Sequence, residues 1–181
     1  MTEPAELQAQ QILSWNGEIG AYWVAQQERL DEVLAPIGKA TLALAAPERG
    51  ERAVDIGCGC GATALMLAEA VGATGHVTGL DISAPMLART RKRSADVPQL
   101  DWIEADAAEH PFAPQSIDLL FSRFGVMAKP GRESVDEPAV PGELGSCSVS
   151  AAPESRGPWP VRLRRSGPGD WNPHRGGIRP A

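Results

Sequence analysis

Asp55-x-Gly57-x-Gly59-x-Gly61 is the densest cluster of chemically useful residues in this chain. Glycines at alternate positions let a backbone reach positive φ and approach a ligand with no Cβ in the way. Asp81 stands 24 residues after Gly57. A carboxylate so placed can accept two hydrogen bonds from the 2′- and 3′-hydroxyls of a ribose. Its other reading is a helix-capping acid, a role for which Ser83 competes. Asp106 can accept from an exocyclic amine such as adenine N6, or it is a solvated loop acid between Glu104 and Glu109. Ile82 and Met86 offer apolar faces to a base, or pack in a core. Cys58 and Cys60 lack the two-residue spacer of a metal-binding pair, and the backbone demands of a tight turn explain them better than catalysis does. His110 reads as a loop surface residue, and no general base stands out.

These residues need a scaffold that gathers them. Residues 5–46 read as helical, with Ile19, Tyr22, Trp23, Leu30, Val33 and Leu34 at helical spacing. Pro36 should end that stretch, with a shorter helix over about 39–46. The period then changes. Arg52–Ile56 reads as a strand, Ala62–Val71 as a helix closed by Gly72, and His76–Leu80 as a strand ending at Asp81. A helix follows that Ser83 can cap and whose last turns carry Arg89, Arg91, Lys92 and Arg93. Leu100–Ala105 and Ile117–Phe121 are the third and fourth strands. Strand–helix alternation with short connections implies an α/β, doubly wound parallel sheet with helices on both faces. Right-handed crossovers then put every strand's carboxyl end on one rim. The glycine turn, Asp81, Asp106 and Ser122-Arg123 all fall at such ends.

Composition divides the chain. It has 181 residues and a net charge of −6, an acidic balance that argues against a broad nucleic-acid footprint. No run approaches the ~18 apolar residues of a membrane span. The acidic start does not read as a secretory signal, and three cysteines in an acidic chain suit a reduced, cytoplasmic protein. From residue 128 onward, Gly and Pro make up 17 of 54 residues, above the roughly 25–30% at which such segments read as disordered. The expected organisation is a helical cap over 1–46, an α/β domain over 47–127, and a Pro/Gly/Arg-rich tail over 128–181.

Val54-Asp55-Ile56-Gly57-Cys58-Gly59-Cys60-Gly61, Leu80-Asp81-Ile82-Ser83 and Glu104-Ala105-Asp106-Ala107 resemble the successive motifs of class I S-adenosylmethionine-dependent methyltransferases. The subgroup they resemble most is the small-molecule enzymes related to ubiquinone and menaquinone methyltransferases. Asp118–Phe124 is similar to their fourth strand and its end, and Trp15-Asn16-Gly17 with Tyr22-Trp23 is similar to the helical cap of some relatives. The resemblance covers residues 12–127. It implies a Rossmann-like methyltransferase fold, S-adenosyl-L-methionine as cofactor and a small-molecule acceptor. Residue by residue, it implies that the glycine loop (Gly57, Cys58, Gly59, Cys60, Gly61) faces the methionine part of the cofactor. Asp55 would orient that loop and the ammonium group. Asp81 would hold the ribose, Ile82 pack on adenine, Asp106 meet the adenine amine beside the Ala107 backbone, and Arg123 lie near the methionine end.

Two alternatives stay open. A nicotinamide-dinucleotide oxidoreductase wants G-x-G-x-x-G; here Ala62 stands where its last glycine would be, a tolerated change. A non-catalytic cofactor-binding remnant is the other, because the family fold continues past its fourth strand and nothing after Met127 resembles the remainder. On that reading the fold is incomplete, the fourth strand is an exposed edge, and activity is impaired. Ala, Gly, Pro and Arg, the residues of GC-rich codons, make up 29 of the last 54 residues, which suggests a shifted reading frame. Translating the coding DNA beyond codon 127 in the other two frames is expected to give helix- and strand-period sequence in one of them. If neither does, the tail is not a frame error.

Overall fold

The computed structural model describes residues 4–113, 116–125 and 163–164. Three helices come first: α1 (Pro4–Asn16), α2 (Glu18–Ala25) and α3 (Gln27–Ala45). They are followed by β1 (Arg52–Ile56), α4 (Ala62–Val71), β2 (His76–Asp81), α5 (Ala84–Arg93), β3 (Leu100–Glu104), β4 (Leu119–Phe121) and β5 (Leu163–Arg164). The expected α/β fold is present, with strand order β3-β2-β1-β4-β5. β1 pairs in parallel with both β2 and β4, and β2 pairs in parallel with β3. The order therefore reverses between β1 and β4. At that point the chain leaves the two strands in opposite directions and opens a crevice above their carboxyl ends.

Alternation along β1 sorts the core. Ala53 faces the cluster that α4 and α5 complete with Leu67, Val71 and Leu87. Val54 and Ile56 face the other way, onto Leu120 and the half-buried Ala107, Phe112 and Ile117. Gly79 lets Trp102 lie flat across the sheet: a Cβ there would run into the indole ring. Arg52 and Asp118 clamp the starts of β1 and β4 together; the Asp118 carboxylate accepts from the Arg52 backbone N–H and side chain at 2.9–3.0 Å.

Four expectations are corrected. The fourth strand was expected as an open edge of a wholly parallel sheet, but β5 pairs antiparallel along it, Leu119 opposite Arg164 and Leu120 opposite Leu163. A two-residue pairing needs no hydrophobic period, so composition does not reveal it; the rest of the tail expected over 128–181 lies outside the described residues. Pro36 was expected to end a helix, yet it sits inside α3. Its ring is exposed, and one missing donor is tolerated because the helix continues to bury Gly38, Thr41 and Ala45. Ser83 occupies the N-cap of α5 without its side chain capping the helix. Its hydroxyl donates instead to the Trp15 carbonyl at 2.7 Å. The helical face read from the first 46 residues also divides: Ile19, Tyr22 and Val33 are exposed, because the chain breaks at Gly17 and Gln26 into separate helices.

The Pro36→Ala variant is expected to be more stable by roughly 1–2 kcal/mol. The regained helical hydrogen bond outweighs the looser unfolded chain. Urea denaturation midpoints read the difference; a midpoint at or below wild type contradicts this account of α3.

Candidate functional site

The last two residues of β2 hold the glycine loop that follows β1. Gly57 and Cys58 both donate their backbone N–H to the Leu80 carbonyl, at 2.8 and 3.2 Å. Gly59 donates to Asp81 Oδ2 at 2.8 Å, and the Ser83 N–H donates to Asp81 Oδ1 at 2.9 Å. Asp81 is thus neither an exposed cap nor a free acid. It is a buried carboxylate that clasps the loop on one side and the α5 turn on the other. Burial pushes its pKa up, and the Ser83 and Gly59 N–H groups pull it back. The loop ends at Gly61, the N-cap of α4, with φ of 84°. A Cβ there would enter Thr90 and lie 3.3 Å from Cη2 of Trp102. Only glycine fits both the conformation and the space.

The other side of the crevice is the turn after β4. The Ser122 hydroxyl donates to the Ile56 carbonyl at 2.8 Å. Gly57 and Gly125 are in backbone contact, so that a Cβ on Gly57 would meet the Gly125 backbone. Phe124, the residue before Gly125, has φ of 77°, a left-handed conformation that costs a non-glycine residue of order 1 kcal/mol and clusters at functional sites. Beneath lies Asp55, fully buried. Its Oδ2 accepts from the Thr63 hydroxyl at 2.6 Å, while Oδ1 has no partner. Desolvation pushes its pKa up to about 7, against the Thr63 hydrogen bond and the Arg123 charge, which favour ionisation, and with Asp81, which opposes it. Arg123 likewise has a buried Nε without a partner, and burial lowers its pKa.

The N-terminal helices roof this crevice and are pinned to it by polar contacts. Asn16 donates its amide to the Ile82 carbonyl at 2.8 Å and accepts from the Ala84 N–H at 2.9 Å. Beneath the roof is a cavity of about 460 Å³, within the ~300–1,000 Å³ of small-molecule sites. Its floor is Gly57–Cys60, Asp81, Ile82, Met86, Asp106, Ala107 and Arg123. Its roof is Trp15, Trp23, Gln27, Leu30, Asp31 and Leu34.

Residues 53–137 match the family described as "Methyltransferase domain". A 2-phytyl-1,4-naphtoquinone methyltransferase of Thermosynechococcus vestitus is 38% identical over 96 residues, which are 53% of this chain and 40% of that protein. A demethylmenaquinone methyltransferase of Listeria welshimeri is 36% identical over 94 residues, 51% of this chain and 40% of that one. The chain thus spans about two fifths of the length of the curated relatives it matches. Among solved structures, phospholethanolamine N-methyltransferase 2 of Haemonchus contortus is 32% identical, with a TM-score of 0.46 over 51% of this chain and 22% of that one.

The sequence-derived residues Gly57, Cys58, Gly59, Cys60, Asp81, Ile82, Asp106, Ala107 and Arg123 all line one cavity. Gly61, the N-cap of α4, is not among the lining residues. Asp55 does not orient the glycine loop as expected: its side chain points from β1 to Thr63 in the first turn of α4, and Asp81 holds the loop instead. Asp106 is half-buried and accepts from the Ala108 N–H at 2.8 Å. Met86 is both core and cavity wall. His110 packs edge-on against Phe112, apart from the cavity-lining residues. Burial pushes the Cys58 thiol well above its usual pKa and that of Cys60 to about 11, so neither is a nucleophile at neutral pH. Sequence reasoning missed Gln27, Asp31 and Phe124. The first two lie on a helix whose cavity face no motif marks; the Phe124-Gly125 dipeptide was the available sign of a tight turn.

Because folding raises the Asp55 pKa, the folded protein holds a proton that the unfolded chain releases between pH 3.8 and about 7. Its contribution is complete below that window and is lost as pH rises through about 7. Stability is expected to fall across the window by up to about 1.4 kcal/mol per pH unit. Asp55→Asn, which places an amide at the unpartnered oxygen, is expected to flatten that decline. Denaturation midpoints from pH 4 to 8 check it; the same slope in both proteins refutes it.

Proposed function

We propose that the protein binds S-adenosyl-L-methionine and transfers its methyl group to a small-molecule acceptor. One observation carries this reading. Asp55 Oδ1 and Arg123 Nε, each without a hydrogen-bond partner, lie at the strand-order reversal, Arg123 in the lining of a cavity whose floor also holds the ribose-type acid Asp81. Buried polar groups are normally satisfied, and an amino-acid zwitterion supplies what both lack, an ammonium for Asp55 and a carboxylate for Arg123. The domain's family and its quinone-methyltransferase relatives point the same way.

On this reading residues 1–46 roof the site, and residues 47–127 hold the cofactor. Asp81 keeps lone pairs for ribose hydroxyls after accepting two N–H bonds. Ile82 packs on the adenine, and Asp106 with the Ala107 backbone meets its amine. The cofactor brings an activated methyl group on a sulfonium that leaves as a neutral thioether. The protein's task is therefore positional: the glycine loop fixes one reactant, Trp15, Trp23, Leu30 and Leu34 confine the other, and the roof excludes water. No proton transfer by the protein is required when the acceptor is already nucleophilic. A cytoplasmic setting suits the two buried free thiols, Cys58 and Cys60.

S-adenosylmethionine is expected to raise the thermal midpoint of the 181-residue chain, and NAD to leave it unchanged. Asp81→Ala is expected to weaken S-adenosylmethionine binding at least tenfold by calorimetry, the scale of losing hydrogen bonds to a charged group. No binding heat with folded wild-type protein, or full affinity in Asp81→Ala, overturns the proposal.

A further inference from the structure

One side-chain network joins the roof to the glycine loop, and no motif announces it. Arg93, in the last turn of α5, donates from Nη1 to the Cys60 carbonyl at 2.6 Å. Its Nη2 lies 2.7 Å from Asp31 Oδ2 on α3. The same Asp31 oxygen accepts from the Gln27 amide at 2.5 Å, and the Gln27 carbonyl accepts from Arg89 Nε at 2.9 Å. Arg89 also approaches Glu28 at 3.6 Å. Gln27 is 5% exposed, and the Arg93 and Asp31 side chains are 21% and 27% exposed, so solvent screens this pair less than an open surface pair. Gln27, Asp31 and Cys60 all line the cavity.

We infer that Arg93 is a positioning residue that makes the shape of the glycine loop and the seating of α3 a single adjustment. This rests on the cofactor reading above. One planar guanidinium satisfies a loop carbonyl and a roof carboxylate at once, so displacing either partner strains the other bond. Cofactor held by the loop therefore stabilises the closed roof, and a loosened roof weakens the cofactor by the same factor. A lysine cannot fork between the two partners in this way, which gives the arrangement a chemical signature.

The test is S-adenosylhomocysteine binding by calorimetry to the full chain and to Arg93→Ala, Asp31→Ala, the double variant and Arg93→Lys. Arg93→Ala and Asp31→Ala are each expected to lose about tenfold in affinity, and the double variant to be no worse than the weaker single one. Arg93→Lys should fall between wild type and Arg93→Ala. Should Arg93→Ala not fold, Asp31→Asn carries the test, with a several-fold loss expected. Wild-type affinity in the folded single variants, fully multiplicative losses in the double variant, or no loss in Asp31→Asn overturns the positioning role. Absence of binding by folded wild-type protein would instead overturn the cofactor reading itself.

Discussion

The clasp made by Asp81 is the constraint on which the site depends. A carboxylate at the end of β2 is taken out of water, which is costly, and two backbone N–H groups offset the cost. Those groups belong to different segments, the glycine loop and the turn into α5. With Leu80 accepting from Gly57 and Cys58, three successive N–H groups after β1 are committed to the end of β2. The loop's conformation is thus a property of the parallel β1–β2 pairing, not of the loop alone. The Ala105 N–H, bonded to the Asp81 carbonyl at 3.0 Å, extends the same register to the next motif.

Around this rigid margin the structure leaves stability unclaimed. Asp55 is fully buried with one oxygen unsatisfied, and Phe124 holds a left-handed backbone. Each works against folding in isolation. Both lie where the strand order reverses, which is where a ligand could relieve them. Such local conflicts, against an otherwise consistent core, are what sequence-level rules expect of a binding site rather than of a packing error.

Much of this was legible in the residues. The change from helical to strand period near Arg52 located the sheet, and the glycines with Asp81 and Asp106 located its functional rim. What failed had local causes. Pro36 is a strong breaker by rule, but on an exposed face of α3 tertiary burial on the other side overrides it. Ser83 is a good cap by type, but a nearby carbonyl of Trp15 claims its hydroxyl. The pairing of Leu163–Arg164 with β4 spans some forty residues, and two residues carry no period to read. Arg93 and Asp31 look like ordinary solvated charges in sequence, since only the fold brings α3 across the end of α5.

The two thiols of the glycine loop give the protein a chemical gauge of its own integrity. Cys58 packs into the main core, and burial pushes the pKa of both thiols up, which disfavours the reactive thiolate. With Cys58 5% exposed, faster alkylation of its sulfur reports excursions in which the loop lifts from the end of β2. The pace of that modification meters the opening of this segment separately from global unfolding, with no label added to the chain.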